Sequence, residues 1–239
     1  MAPSALGAMS IALVCCGCQS TAEKSTELEK HAKHQKLALQ GVSVTRDNPD
    51  VKVLQSTVVH SSVGTAVVME LRNTSRHALE NAPIEITVRD AKGVVLFQNN
   101  QPGLEPSLTK VSLLMPGAET MWVDDQVQVA GVPATASARV GEAAQVRGIV
   151  PQLSVSSAKP TGEAGGEAGE AGTVTNKSTV AQAHVVVYAV ARRAGKIVAA
   201  GRAVLPEVGP GASVPFQVYF VGDPSGGAQI QTSAPATSF

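Results

Sequence analysis

Residues 84–89, Ile84-Glu85-Ile86-Thr87-Val88-Arg89, alternate strictly between apolar and polar side chains. Successive side chains of an extended strand point to opposite faces, so a period of two marks a strand with one face buried and the other wet. The stretch runs into Asp90-Ala91-Lys92-Gly93, a turn whose glycine tolerates the positive φ that a tight hairpin wants. Val94-Val95-Leu96-Phe97 then returns as the hairpin partner. On the N-terminal side, Val51-Lys52-Val53-Leu54 and Thr65-Ala66-Val67-Val68-Met69-Glu70-Leu71 are further predicted strands, the second closed by Arg72-Asn73-Thr74-Ser75. On the C-terminal side, Pro116-Gly117-Ala118-Glu119 is a turn leading into strands at Met121-Trp122-Val123 and Gln126-Val127-Gln128-Val129.

The 239-residue composition agrees with this texture. Apolar residues make up 44% of the chain but aromatic ones only 3%, and Val, a β-branched strand former, is prominent among them. Lys+Arg and Asp+Glu are equal at 19 each, so no basic excess exists to neutralise phosphates, and nucleic acid is not an expected partner.

The second half repeats the first. Thr173-Val174-Thr175-Asn176-Lys177-Ser178 matches Glu70-Leu71-Arg72-Asn73-Thr74-Ser75, and Ala194-Gly195-Lys196-Ile197-Val198 matches Lys92-Gly93-Val94-Val95-Leu96. Pro210-Gly211-Ala212-Ser213 followed by Phe216 matches Pro116-Gly117-Ala118-Glu119 followed by Trp122. Three turn signals recurring in one order predict an all-β chain of two tandem antiparallel modules, at 42–140 and 150–239, joined by a linker at 141–149. Each recurrent element has a fold-specifying role. The amides of Asn73 and Asn176 close turns, Pro-Gly at 116–117 and 210–211 suits the centre of a type II turn, and Trp122 and Phe216 anchor the two cores.

The order strand, Asn-x-Ser, strand, Asp-x-x-Gly, strand, Pro-Gly-x-x, strand resembles the FxLYD family of bacterial envelope domains. That family carries its motif in the strand before the glycine turn, where this chain has Ile86-Thr87-Val88-Arg89-Asp90 and, in the second module, Tyr188-Ala189-Val190-Ala191-Arg192. The resemblance implies immunoglobulin-like β-sandwich modules and no enzymatic activity.

The three cysteines, Cys15, Cys16 and Cys18, lie within four residues of one another, so no disulfide framework runs through the modules. They follow a short apolar run, Ala5 to Val14, too short to span a bilayer but suited to the core of a signal peptide. Cys15-Cys16-Gly17-Cys18-Gln19-Ser20 resembles the lipobox of bacterial lipoproteins, with Gly17 as the small residue and Cys18 as the acceptor. The resemblance implies a signal peptide over 1–17, cleavage before Cys18 and a diacylglyceryl thioether on it; Cys16 is the alternative acceptor. Each buried acyl methylene contributes about 0.8 kcal/mol, so two or three chains anchor stably. Gln19, rather than Asp, implies the outer membrane in a double-membrane host. Residues 18–41 form a polar spacer of good helix formers.

The candidates for chemistry are few. His31 and His34, at i,i+3 in the spacer, lack a third metal ligand and are expected to be solvated. The Gly/Ala tract at 161–172 places Glu163, Glu167 and Glu170 in a solvated loop with no calcium-site spacing. Neither His60, His77 nor His184 sits in a hydrolase or zinc motif, and no phosphate-binding glycine loop precedes a helix. Asp124-Asp125, the only adjacent acidic pair, lies directly after Trp122-Val123; strand neighbours face opposite ways, so the two are not expected to share a proton, and a turn or exposed edge is expected. The C-terminal stretch from Ser225 is expected to hold a last strand near Ala228–Gln231 and a frayed tail. No catalytic residue, metal site or cofactor is expected. The expected partners are the membrane, through the lipid, and an envelope protein or peptidoglycan; a small-ligand-binding lipoprotein beside a transporter is the alternative.

Overall fold

The computed structural model describes residues 41–161 and 168–238, which belong to one compact unit, Gln40–Phe239. Among them the only helical piece is a 3-10 turn at Pro106–Leu108; the rest of the regular structure is antiparallel strand. The first half contains β1 (Val51–Ser61), β2 (Gly64–Asn73), β3 (Leu79–Arg89), β4 (Val95–Gln98), β5 (Lys110–Leu114), β6 (Glu119–Asp124), β7 (Thr135–Val140) and β8 (Ala144–Gln145). The second contains β9 (Leu153–Thr161), β10 (Gly169–Asn176), β11 (Gln182–Arg193), β12 (Lys196–Val208), β13 (Ser213–Tyr219), β14 (Val221–Gly222) and β15 (Gln229–Ser233).

Each half has two sheets. In the first, β1-β2-β6 form one; in the other, β3 pairs with β4 and β7 along its second part and with β5 and β8 along its first. In the second half these become β9-β10-β13 and β14-β12-β11-β15. The alternation of β3 is realised as predicted: Ile84, Ile86 and Val88 are buried while Glu85, Thr87 and Arg89 face outward. Trp122 is buried in the first core and Phe216 in the second.

The repeat extends to individual hydrogen bonds. Asn73 and Asn176 are both fully buried. The Oδ1 of Asn73 accepts the Ser75 N–H, and its Nδ2 donates to His77 O and Leu114 O. Asn176 does the same with the Ser178 N–H, Val180 O and Val208 O. In both halves the asparagine carbonyl receives the N–H of the turn glycine, Gly117 or Gly211, each in the left-handed region as a type II turn requires. A single amide thereby fastens the end of one sheet to the other, and each buried polar atom of it is satisfied.

The halves differ in one place. Asn176 follows Asn73 by 103 residues but Gly211 follows Gly117 by only 94, so the first half carries nine more residues between these points. β12 pairs with β11 without interruption apart from one bulge, from Arg193–Lys196 to Gln182–Val208. The corresponding edge of β3 breaks between β4 and β5, where the chain makes an excursion through the Pro106–Leu108 turn. Buried Asn99 bridges the gap: it accepts the Ile86 N–H and donates to Ile84 O and Leu108 O.

The halves stack because two strands are apolar on both faces. In β11, Val185, Val187, Ala189 and Ala191 enter the second half's core with Val174, Phe216 and Val218. Val186, Tyr188 and Val190, on the opposite face, join the first half's cluster with Val59, Ala66 and Val68. The outer faces at the ends of the stack carry polar residues instead, such as Glu85 and Thr87 on β3 and Thr173 and Thr175 on β10. Fully burying each such valine contributes roughly 1.5–3 kcal/mol, which is why the apolar faces are the ones that meet.

Four expectations are corrected. Residues 126–129 are not a strand, although Val127 is buried in the core they run along. Within 161–172, residues 169–172 are part of β10 and Glu170 is buried, its Oε2 accepting from the Thr232 hydroxyl. Glu170 is held above the usual carboxylate range, chiefly by burial. The tail beyond β15 is docked rather than frayed: the Thr237 and Ser238 N–H groups donate to Gln182 Oε1, and Gln182 Nε2 donates to Ser238 O. Asp124-Asp125 is not exposed: Asp124 is buried and Asp125 half-buried.

Candidate functional site

The seam between the halves holds the protein's most concentrated polar chemistry. Tyr188 of β11 and Arg202 of β12 stand opposite each other on the face turned toward the first half. Apolar neighbours cover them, leaving the Arg202 side chain only 3% exposed, so its charge requires partners. Asp125 supplies the main one: Oδ1 accepts from Nε at 3.0 Å and Oδ2 from the Arg202 backbone N–H at 3.0 Å. The nine-residue excursion supplies the others, Ser107 Oγ at 2.8 Å from Nη1 and Glu105 Oε2 at 3.3 Å from Nη2. Trp122 holds that excursion in place, its Nε1 donating to Ser107 O and Lys110 O. A second ion pair, Arg192 Nη2 to Glu70 Oε1 at 2.6 Å, ties β11 to β2 elsewhere along the seam.

Asp124, next to this node, is 1% exposed. Burial pushes its carboxyl up to about 6, opposed by the Gln126 N–H it accepts and by Arg202, and reinforced by Asp125. The Tyr188 phenol is likewise held above its usual range, first of all by burial. A carboxylate titrating near neutrality is a common attribute of a general base. Asp124 is sealed from solvent, however, and its place is structural.

Beside the node opens a cleft of about 470 Å³. Its floor is Val186, Tyr188 and Val204, one wall is Pro106, Ser107, Lys110 and Ser112, and the docked tail residues Thr237 and Ser238 close one side. Asn81, Glu105, Ala183 and His184 complete the lining, Asn81 and His184 with left-handed backbones at φ 53° and 51°. A second cleft, of about 390 Å³, lies between β5–β6 and β9–β15 and is lined by Leu113, Met115, Met121, Leu153 and Val155 with polar β15 residues.

The three described histidines are not brought together. His60 Nδ1 pairs with Thr65 Oγ1 at 2.7 Å, His77 lends its carbonyl to the Asn73 clasp, and His184 lines the larger cleft. Among the described residues no group of His, Cys, Asp and Glu could hold a metal ion, and no helix is long and apolar enough to cross a membrane. Cys18, Cys16, His31, His34, Glu163 and Glu167 lie outside the described residues. Asn73-Thr74-Ser75 and Asn176-Lys177-Ser178 have the form of N-glycosylation acceptors, but both amides are buried and fully engaged, so neither is open to modification in the folded protein.

Arg202 and its partners were missed in sequence. The signal available was a lone arginine inside the apolar run Val198-Ala199-Ala200-Gly201-Arg202-Ala203-Val204-Leu205. A charge in such a run requires a buried partner, but its identity 77 residues away is not written locally. No family model matches the chain, and no curated protein matches it.

Proposed function

We propose that this chain is a non-catalytic lipoprotein of the bacterial cell envelope, anchored through a lipid on Cys18, whose paired immunoglobulin-like β-sandwich modules present a surface to an envelope protein or to peptidoglycan. The observation that carries the reading is the order of the sequence itself. An apolar segment ends in Cys15-Cys16-Gly17-Cys18, a polar spacer follows, and no cysteine occurs thereafter. The twin asparagine clasps support the tandem reading. The seam supports a presenting role, since its charges are consumed in holding the halves together rather than directed at a substrate.

The test is metabolic labelling of the full chain, expressed in a bacterial host, with an alkyne-bearing palmitate analogue. Label is expected on the wild type and on Cys16→Ala, with loss in Cys18→Ala. Label retained by Cys18→Ala, or absent from the wild type, overturns the assignment to Cys18. A second reading, a small-ligand-binding lipoprotein, is favoured by one specific observation, the 470 Å³ cleft at the seam.

A further inference from the structure

We propose that the larger cleft is a binding site for a small amphiphilic anion, an apolar body carrying one carboxylate-type head, with Lys110 as its counter-ion. The proposal rests on the ligand-binding reading and narrows it to a chemical class.

Its size falls in the range of small-molecule sites, and the apolar side chain most open to it is Val204. Val186 and Val204 form a cross-strand pair on the face of β11–β12 that is covered elsewhere by the first half. At the cleft Val186 stays buried, whereas Val204 is 36% exposed.

The charges of the lining select the head group. Glu105 is its one acidic side chain, and its carboxylate already accepts from Arg202 and Ser107. Lys110 has no ion-pair partner among the described residues. With Glu105 engaged, Lys110 is the charged group of the lining left open to a ligand, and it selects an anion. Hydroxyl and amide groups of Asn81 and Ser238 are at hand to orient a carboxylate, and Ser112 Oγ, also lining the cleft, is buried without a hydrogen-bond partner.

Backbone conformation points to the same place. Among the described residues only Asn81, His184 and Ala194 adopt a left-handed conformation without being glycine. Ala194 is explained by its two-residue hairpin turn, between paired Arg193 and Lys196. Asn81 and His184 lie within strands whose register is unchanged on either side, and both line this cleft. Such strained conformations cluster where a ligand is held.

The experiment uses the fluorescent anion 1-anilinonaphthalene-8-sulfonate and its neutral analogue N-phenyl-1-naphthylamine, titrated into the full chain, with dodecanoate as competitor. Saturable one-site binding of the anion is expected, displaced by dodecanoate, weakened at least tenfold by Lys110→Gln and abolished by Val204→Trp. Lys92→Gln, outside the cleft, is expected to leave it unchanged. Melting curves of the variants exclude unfolding as the cause; Lys110→Gln keeps the backbone carbonyl that Trp122 holds. Binding of both probes, insensitive to Lys110→Gln yet abolished by Val204→Trp, overturns the anion proposal while leaving a ligand site. No saturable binding of either probe, or binding indifferent to Val204→Trp, overturns both.

Discussion

Asp124→Asn is expected to change the pH dependence of stability in a calculable way. An acid whose folded-state pKa is raised holds its proton more tightly in the native state than in the unfolded chain. Stability is therefore lost as pH rises from the unfolded value towards the folded one. For Asp124 that window runs from 3.8 to about 6, dominated by burial. Two pKa units correspond to about 3 kcal/mol of native-state destabilisation at full ionisation, of which about 2 kcal/mol falls between pH 4 and pH 8. Asparagine keeps the oxygen that accepts the Gln126 N–H but cannot ionise. Its amide N–H groups need an acceptor, a cost of about 1–3 kcal/mol that does not vary with pH, so the informative quantity is the change in the gap between variant and wild type. Relative to wild type, the variant is expected to gain about 2 kcal/mol on going from pH 4 to pH 8. Glu170, also raised, titrates in both proteins and cancels in the comparison. Trp122, the single tryptophan and fully buried, reports unfolding by fluorescence in urea at pH 4, 6 and 8. A gap that stays constant to within 0.5 kcal/mol, on the order of the usual error in such comparisons, refutes the assignment of a buried, neutral-range carboxyl to Asp124.

Asn73→Ala and Asn176→Ala each strand two carbonyls and one N–H, and each is expected to cost about 3 kcal/mol or more by urea denaturation; a loss below about 1 kcal/mol in either contradicts the clasp. Asp125→Ala leaves the Arg202 guanidinium buried without its main partner and is expected to cost about 3–5 kcal/mol, while the double change with Arg202→Met is expected to recover part of the loss. Ala194→Gly relieves a left-handed alanine at φ 49° and is expected to raise stability by about 1 kcal/mol, read as an upward shift in Tm; no shift or a fall counts against the turn geometry.

How much of this was legible in the chain depends on the range of the interaction concerned. The strand at β3 and its inward face are set by a two-residue period, and the Pro-Gly turns by two adjacent residues, so both were readable directly. The asparagine clasps were half readable. Asn-x-Ser marked the turn, but the bonds to Leu114 O and Val208 O reach 41 and 32 residues along the chain. The tail was misjudged because its Ser/Thr/Pro composition describes a flexible peptide, and Gln182 and Ala183, 55 and 54 residues before Thr237, give it somewhere to dock. Asp124 was misjudged for a related reason. Adjacent carboxylates in a strand normally place one side chain in water, but here a second sheet covers the seam and leaves neither side wet.

The sequence alone determined that the chain is all-β and where its main turns fall, because periodicity and glycine conformation are properties of neighbouring residues. Tertiary structure decided which faces meet, which charges pair across the seam, and that a cleft remains beside them. Those outcomes depend on residues brought together from dozens to more than a hundred positions apart, as Glu70 and Arg192 are at 122, and no local pattern encodes the partner of a buried charge.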